Sequence, residues 1–257
     1  MSKISKLYTK SLFVNKSYDY IVGANIKEYD MKSGGFNILI SYNALSKETI
    51  ENLRAMPKEK RNIVIGKMQI KNKELSKILN QGFEDYRKKF FEANEIEDIN
   101  ILAIRKDAIF TVNTKVKQKT FDNIVFSSKN KYSSYYLLDN KQFLFSKSRN
   151  LLDIKGINDE TLKLHENYML AFMKKLFALN EVSNRAACDY LYDFANKYRN
   201  KELKKGFYRE LNLQSKYRLK DKTIGGCAVI GNIVKKKDID ISYNYNTFIR
   251  PLINYIF

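Results

Sequence analysis

The spacing of apolar residues predicts three helices in the first third of the chain. The clearest covers 73–93, where apolar side chains recur three and four residues apart and so form one face. These side chains are Leu75, Leu79, Phe83, Tyr86 and Phe90. Two shorter helices are predicted over 47–55 and 57–70, because Ser46 suits an N-cap and Pro57 suits a first helical position.

Short alternating or apolar runs predict strands, and two of them flank a tight turn. Residues 99–105 and 108–113 read as a hairpin whose turn carries Asp107. Residues 18–25 read as a short strand that ends in a turn. Three further strands are predicted at 121–127, 132–138 and 141–146, with Asp139-Asn140 as the turn between the last two.

Helical spacing returns in the second half, over 159–180 and 183–199. We therefore predict an α+β fold, in which an antiparallel sheet with packed helices precedes a mainly helical part. The expected domains are 1–157, with a helical insertion at about 44–93, and 158–257, which ends in an arm from 224.

The charge of the chain favours a polyanionic partner. Lys and Arg total 47 against 28 Asp and Glu, a formal charge of +19, and 18 Tyr and 16 Phe are interleaved with them. Cationic groups attract phosphates, and aromatic rings can stack on bases. A biased composition, rich in Lys, Asn, Ile and Tyr, is the other explanation of the lysines. No apolar run is long enough to cross a membrane, so we expect no membrane partner and a location in the cytoplasm, that of the host cell if the chain is viral.

Several reaction chemistries are excluded by counting. Cys188, Cys227 and His165 are the only cysteines and the only histidine, too few for a disulfide scaffold or a Cys/His zinc site. The chain has no P-loop, no dinucleotide fingerprint and no G-x-S-x-G elbow. Catalysis would therefore rest on carboxylates with metal ions.

Asp19 and Asp107 are the candidate carboxylates, since each is predicted at the end of a strand. Two carboxylates that share two divalent cations can promote phosphoryl transfer. Each residue also has a simpler explanation, because aspartate is common in turns and at caps.

The segments around these residues resemble the palm domain of nucleic acid polymerases. YDYIVGAN, with Asp19, is similar to the first palm motif, an aspartate that ends a strand before a turn and a helix. RKDAIFTV, with Asp107, is similar to the hairpin of the third motif, which reads close to T-D-S-I-F-V in family B DNA polymerases. The resemblance covers roughly 15–115 and implies that Asp19 and Asp107 are catalytic residues that hold Mg²⁺ or Mn²⁺.

The same resemblance implies roles for basic residues. The helix KEKRNIVIGKM would bind the nucleoside triphosphate through Lys60, Arg61 and Lys67, and the helical part after 158 would grip duplex like a thumb. The expected nucleic-acid contacts are Arg105, Lys106, Lys174, Lys175, Arg185, Lys197 and Arg199.

The sequence thus favours a template-directed nucleotidyl transferase similar to a DNA polymerase, compact and of the kind that a bacteriophage encodes. Its partners would be nucleoside triphosphates, DNA or RNA, and a further replication or virion protein. The alternative is a non-catalytic basic nucleic-acid-binding protein, either a degenerate palm or a phage packaging or virion component. A metal-dependent nuclease is a third option, for which Glu28 and Asp30 are the additional acids nearby.

Overall fold

The computed structural model describes residues 4–138, 141–156, 171–200, 202–203, 216–219 and 222–225. They form two compact units: Met1–Ser17 with Asn25–Lys131, and Tyr18–Ala24 with Tyr132–Phe257. The predicted boundary at 157/158 falls inside the second unit. Antiparallel strand pairs and helices occur together, which confirms the predicted α+β class.

A six-stranded sheet forms the centre of the first unit, and a four-stranded sheet forms that of the second. The strands are β1 Leu12–Val14, β2 Tyr20–Ile21, β3 Ile26–Met31, β4 Ile101–Arg105, β5 Ala108–Val112, β6 Thr120–Phe121, β7 Ile124–Tyr132, β8 Ser134–Leu138, β9 Lys141–Ser146, β10 Leu151–Lys155, β11 Lys216–Leu219 and β12 Lys222–Gly225. The first sheet has the order β1-β4-β5-β3-β7-β6, so β3 joins the β4–β5 hairpin to β7.

Four helices of the first unit follow β3 in sequence, and their ends have local causes. They are α1 Gly34–Ser41, α2 Lys47–Arg54, α3 Lys58–Lys71 and α4 Lys73–Ala93. The Ser46 hydroxyl accepts a hydrogen bond of 3.2 Å from the Thr49 amide, as an N-cap does. Asn72 ends α3 and caps α4, because its side-chain oxygen accepts from the Glu74 amide at 2.9 Å. The three helices predicted between 47 and 93 are therefore confirmed.

Helix α4 covers one face of the sheet. Its predicted apolar face is buried throughout, and the Phe90 ring stacks on Phe126 of β7 at 4.4 Å between ring centres. Tyr29 of β3 lies 5.4 Å from the same ring. A Cβ atom on Gly82 would collide with Ile38 of α1, so this glycine allows α1 and α4 to approach closely.

The predicted hairpin with Asp107 in its turn is confirmed, and it pairs with β3 along its length. The register places Asp30 opposite Ala108. Lys106, the first turn residue, has a left-handed backbone with φ 52°. Arg87 of α4, which is 2% exposed, donates to the carbonyl oxygens of Lys106 at 2.7 Å and Tyr8 at 2.8 Å.

The second unit combines the sheet β10-β9-β8-β2 with two further helices, α5 Ala171–Asn180 and α6 Asn184–Arg199. Phe177 of α5 stacks on Phe145 of β9 and on Tyr20 of β2, each at 5.9 Å between ring centres. The predicted helix over 183–199 is confirmed. The predicted turn at Asp139-Asn140, residues 159–170 of the predicted preceding helix and most of the predicted arm from 224 lie outside the described residues. Within the described chain, no helix combines the length and the apolar character needed to cross a membrane.

Candidate active site

Sheet pairing brings Asp30 and Asp107 to the same end of the first unit. Asp30 is the penultimate residue of β3, and Asp107 is the second turn residue between β4 and β5. The amide of Met31 donates a hydrogen bond of 3.0 Å to the carbonyl oxygen of Asp107. Ser127 of β7 donates to the carbonyl oxygen of Asp30 at 3.2 Å from the other side. The main chain around both acids is therefore held on two sides.

The carboxyl groups of Asp30 and Asp107 interact electrostatically. Burial raises the pKa of the Asp30 carboxyl, and the Asp107 carboxylate raises it further. Lys129 and Lys58 act in the opposite direction, while Glu28 makes a smaller raising contribution. The surroundings thus disfavour the charged form of Asp30, and Lys129 and Lys58 only partly offset this effect.

Both acids line a cavity of about 420 Å³, together with three lysines. The lysines come from three different elements: Lys58 from α3, Lys106 from the turn and Lys129 from β7. A site with two carboxylates and three ammonium groups can receive metal ions on one side and an anionic ligand on the other.

One face of α3 forms a wall of this cavity. Lys58, Asn62, Ile65 and Gln69 all line it, and their spacings of four, three and four place them on one side of the helix. This face offers one ammonium group and two side-chain amides. A ligand in the cavity would therefore meet hydrogen-bond donors as well as charge.

The N-terminus of α1 forms another wall, made mainly of backbone. Ser33, Gly34 and Gly35 line the cavity directly after Asp30 and Met31. A Cβ atom on Gly34 would lie 3.0 Å from the Cβ of Met31 and 3.1 Å from the Phe83 ring, so a larger residue does not fit without movement. The amides at a helix N-terminus favour an anion there.

The structure places the other predicted metal ligand, Asp19, in the second unit. It is exposed, it precedes β2, and its carbonyl oxygen accepts from the Leu137 amide at 2.8 Å. Asp107 belongs to the first unit, so the pairing of Asp19 with Asp107 stays a prediction.

The three residues predicted to bind the triphosphate lie on different sides of α3. Lys60 and Lys67 are exposed and, by the helical period, lie opposite the face that lines the cavity. Arg61 lies at the edge of that face, where it donates to the Ser33 hydroxyl at 2.9 Å and its guanidinium lies 4.8 Å from the Phe36 ring centre. These contacts fix the start of α1, while nucleotide binding by the three residues stays a prediction.

The predicted nucleic-acid contacts fall into separate groups. Arg185 and Lys197 of α6 form ion pairs one helical turn away, with Asp189 at 3.0 Å and Asp193 at 2.8 Å. The remaining residues are Arg105 at the end of β4, Lys106 in the cavity, Lys174 and Lys175 on α5, and Arg199, whose side chain is outside the described residues.

Sequence reasoning missed the cavity roles of Lys58 and Asn62, and it named Asp30 only as an additional acid for the nuclease option. A signal was present, because Asp30 lies near the end of the run IKEYDM, shortly before Ser33-Gly34-Gly35. The four-residue spacing of Lys58 and Asn62 on a helix was a second signal. Neither pattern shows which side of an element faces a cavity.

The donor set suits a hard divalent cation. Among the described residues no group of three or more His, Cys, Asp or Glu side chains could hold a metal ion, and the carboxylates that line this cavity are those of Asp30 and Asp107. Mg²⁺ commonly takes one or two carboxylates and completes its shell with water and substrate phosphates. A cation at this pair would also relieve the repulsion that raises the pKa of Asp30.

Comparison with known proteins identifies the family. The family model described as Bacteriophage PBS1 gene 130 protein matches residues 1–257, so the chain belongs to that family. This match confirms the expected bacteriophage association. No curated protein matches the sequence.

Proposed function

We propose that this protein is a palm-type nucleotidyl transferase whose active site is the cavity around Asp30 and Asp107. The observation that carries the proposal is the convergence of two carboxylates and three lysines in one cavity of the first unit. The description of the first palm motif, an aspartate that ends a strand before a turn and a helix, suits Asp30, Ser33 and α1. The second metal ligand thus moves from Asp19 to Asp30, and Asp107 keeps its role.

In this proposal Asp30 and Asp107 hold the magnesium or manganese ions. Bound divalent ions would stabilise negative charge on the attacking and leaving oxygens of phosphoryl transfer. The attacking group is the 3′-hydroxyl of a nucleic-acid strand, which forms a bond to the α-phosphorus of a nucleoside triphosphate. The bond to pyrophosphate breaks, and the hydroxyl proton passes to solvent.

The other cavity residues would position the triphosphate. Lys58 and the backbone amides at the start of α1 face the same space and would bind its phosphate oxygens. Asn62 and Gln69 offer amides that can hydrogen-bond a sugar or base. Arg61, through its hydrogen bond to Ser33, would hold the start of α1 in place.

Nucleotide incorporation by single-residue variants tests this assignment. Primer extension with Mg²⁺ should fall at least about a hundredfold in Asp30→Asn and in Asp107→Asn, because each removes a charged metal ligand. Glu48→Gln, an exposed position at the start of α2, is the control. Circular dichroism establishes that each variant is folded.

Asp19→Asn decides between the two ligand assignments. Loss of incorporation in Asp19→Asn with full activity in Asp30→Asn would restore the assignment made from sequence. Full activity in Asp107→Asn would contradict both assignments. The same assay with DNA and RNA templates identifies the template.

A non-catalytic nucleic-acid-binding role is the second candidate, and the formal charge of +19 favours it. It predicts DNA binding that weakens steeply with salt and does not require Mg²⁺. Binding of this type with no incorporation by the wild-type protein would support this candidate against the transferase.

A further inference from the structure

A second cavity of the first unit, about 430 Å³ in volume, has a cationic lining. It shares Phe83 and Lys106 with the first cavity. Its charged lining residues are Lys77, Arg87 and Lys106 against the single carboxylate of Glu84. Thr9 and Ser11 add hydroxyl groups.

Arg87 is a buried cation that forms no ion pair with a carboxylate among the described residues. The residue is 2% exposed, and its guanidinium donates hydrogen bonds to two neutral carbonyl oxygens. Burial lowers the pKa of Arg87 to about 10, and Glu84 acts against this shift.

The hydrogen bonds that Arg87 makes leave some of its N–H donors unused. A guanidinium has five N–H donors, and the two carbonyl oxygens take one each. Because Arg87 also lines the cavity, a ligand inside it lies beside this residue. The planar arrangement of these donors suits the oxygens of a phosphate group, and burial strengthens such a contact.

We propose that the second cavity binds a phosphate group through Arg87, Lys77 and Lys106. The phosphate would form the direct ion pair that Arg87 does not make with Glu84. It comes either from the backbone of a nucleic-acid strand or from free phosphate or pyrophosphate, which share this chemistry. The inference does not depend on the transferase proposal, because none of its observations involves the Asp30–Asp107 pair.

The position of Arg87 gives the bound phosphate a structural consequence. The same guanidinium donates to the carbonyl oxygen of Lys106, the residue before Asp107. A phosphate on Arg87 would therefore lie beside the turn that carries a carboxylate of the first cavity.

The test follows the Nε–H signal of Arg87 by NMR on ¹⁵N-labelled full-length protein. Inorganic phosphate, pyrophosphate and a single-stranded homothymidine oligonucleotide are titrated separately, and calorimetry measures the same affinities independently. We expect a saturable shift of this signal. Lys77→Glu should weaken binding about tenfold, because it reverses a charge that lines this cavity and not the first one. Lys47→Glu, exposed on α2, is the charge-reversal control outside this cavity and should leave the affinity unchanged.

The three titrations distinguish the sources of the phosphate. Saturation by the oligonucleotide below the concentration needed for phosphate supports a strand backbone as the ligand. Saturation by phosphate and pyrophosphate without an oligonucleotide effect supports the free ions. Absence of a shift with all three at millimolar concentrations, or equal affinities of wild type and Lys77→Glu, overturns the proposal.

Discussion

The amide of Met31 and the carbonyl of Asp107 are joined by a hydrogen bond of 3.0 Å, which ties the end of β3 to the hairpin turn. Because Met31 directly follows Asp30, this bond keeps the two acids at one end of the sheet. Their positions depend on main-chain pairing and not on a contact between their side chains. Substitutions of either side chain should therefore leave the fold intact and change the chemistry of the cavity.

Divalent cations should stabilise the wild-type protein through this pair. A cation that binds the folded state raises the melting temperature as its concentration exceeds the dissociation constant. Thermal unfolding with increasing Mn²⁺ should show this rise in wild type and a much smaller one in Asp30→Asn. Glu48→Gln is the control and should follow wild type. Equal shifts in wild type and Asp30→Asn would mean that Mn²⁺ binds elsewhere.

Without metal, Asp30 should make the protein less stable as pH rises. Burial and Asp107 raise the pKa of its carboxyl in the folded state, so folding favours the protonated form. The protonated carboxyl makes its full contribution to stability below its ordinary pKa of 3.8. This contribution is lost as pH rises through the higher pKa of the folded state. Urea unfolding in a chelator should therefore show that Asp30→Asn gains stability over wild type as pH increases. A constant difference between the two proteins across this range would contradict the expectation.

Arg87 should matter for stability more than an exposed arginine does. Arg87→Met removes the donors of two carbonyl oxygens, one of which belongs to the turn residue Lys106. We expect a loss of about 2–4 kcal/mol in the free energy of unfolding, measured with urea. Arg185→Met, which removes an exposed pair with Asp189, should cost less than about 1 kcal/mol. Similar losses in the two variants would show that burial of Arg87 contributes little.

Two glycines in helices should respond to alanine in opposite ways. In Gly82→Ala the new Cβ meets Ile38, and such overpacking costs about 1–3 kcal/mol. In Gly66→Ala nothing lies within 4 Å of the new Cβ, so the better helix propensity of alanine should add about 0.5–1 kcal/mol. Differential scanning calorimetry of both variants measures the two shifts. A melting temperature that falls in Gly66→Ala would reveal a packing role for that glycine.

Local pattern was sufficient for elements whose determinants are close in sequence. The hairpin around Asp107 follows from two apolar runs and a short charged break, and 73–93 follows from a strong helical period. Ser46 and its hydrogen bond to Thr49 follow from cap chemistry. These features could be predicted because neighbouring residues decide them.

The strand that pairs with β5 could not be predicted in the same way. Asp19 and Asp30 both lie beside short strands, and only long-range pairing decides which strand meets β5. Helix α3 shows the same difficulty, since Ile65 is 5% exposed while Ile63 and Ile70 are 60% and 84% exposed. Because apolar residues lie on both sides of α3, the helical spacing of its apolar residues does not show which of its lysines face the cavity.

The excursion of residues 18–24 into the second unit constrains how this protein can evolve. The chain leaves the first unit at Ser17, pairs β2 with β8 and returns at Asn25. A recombination event at 131/132 would separate β2 from its partner strand, leaving Tyr20 and Ile21 without their ladder. Exchange of the chain on one side of this point would therefore break the β2–β8 pairing, and the family match over residues 1–257 covers both units.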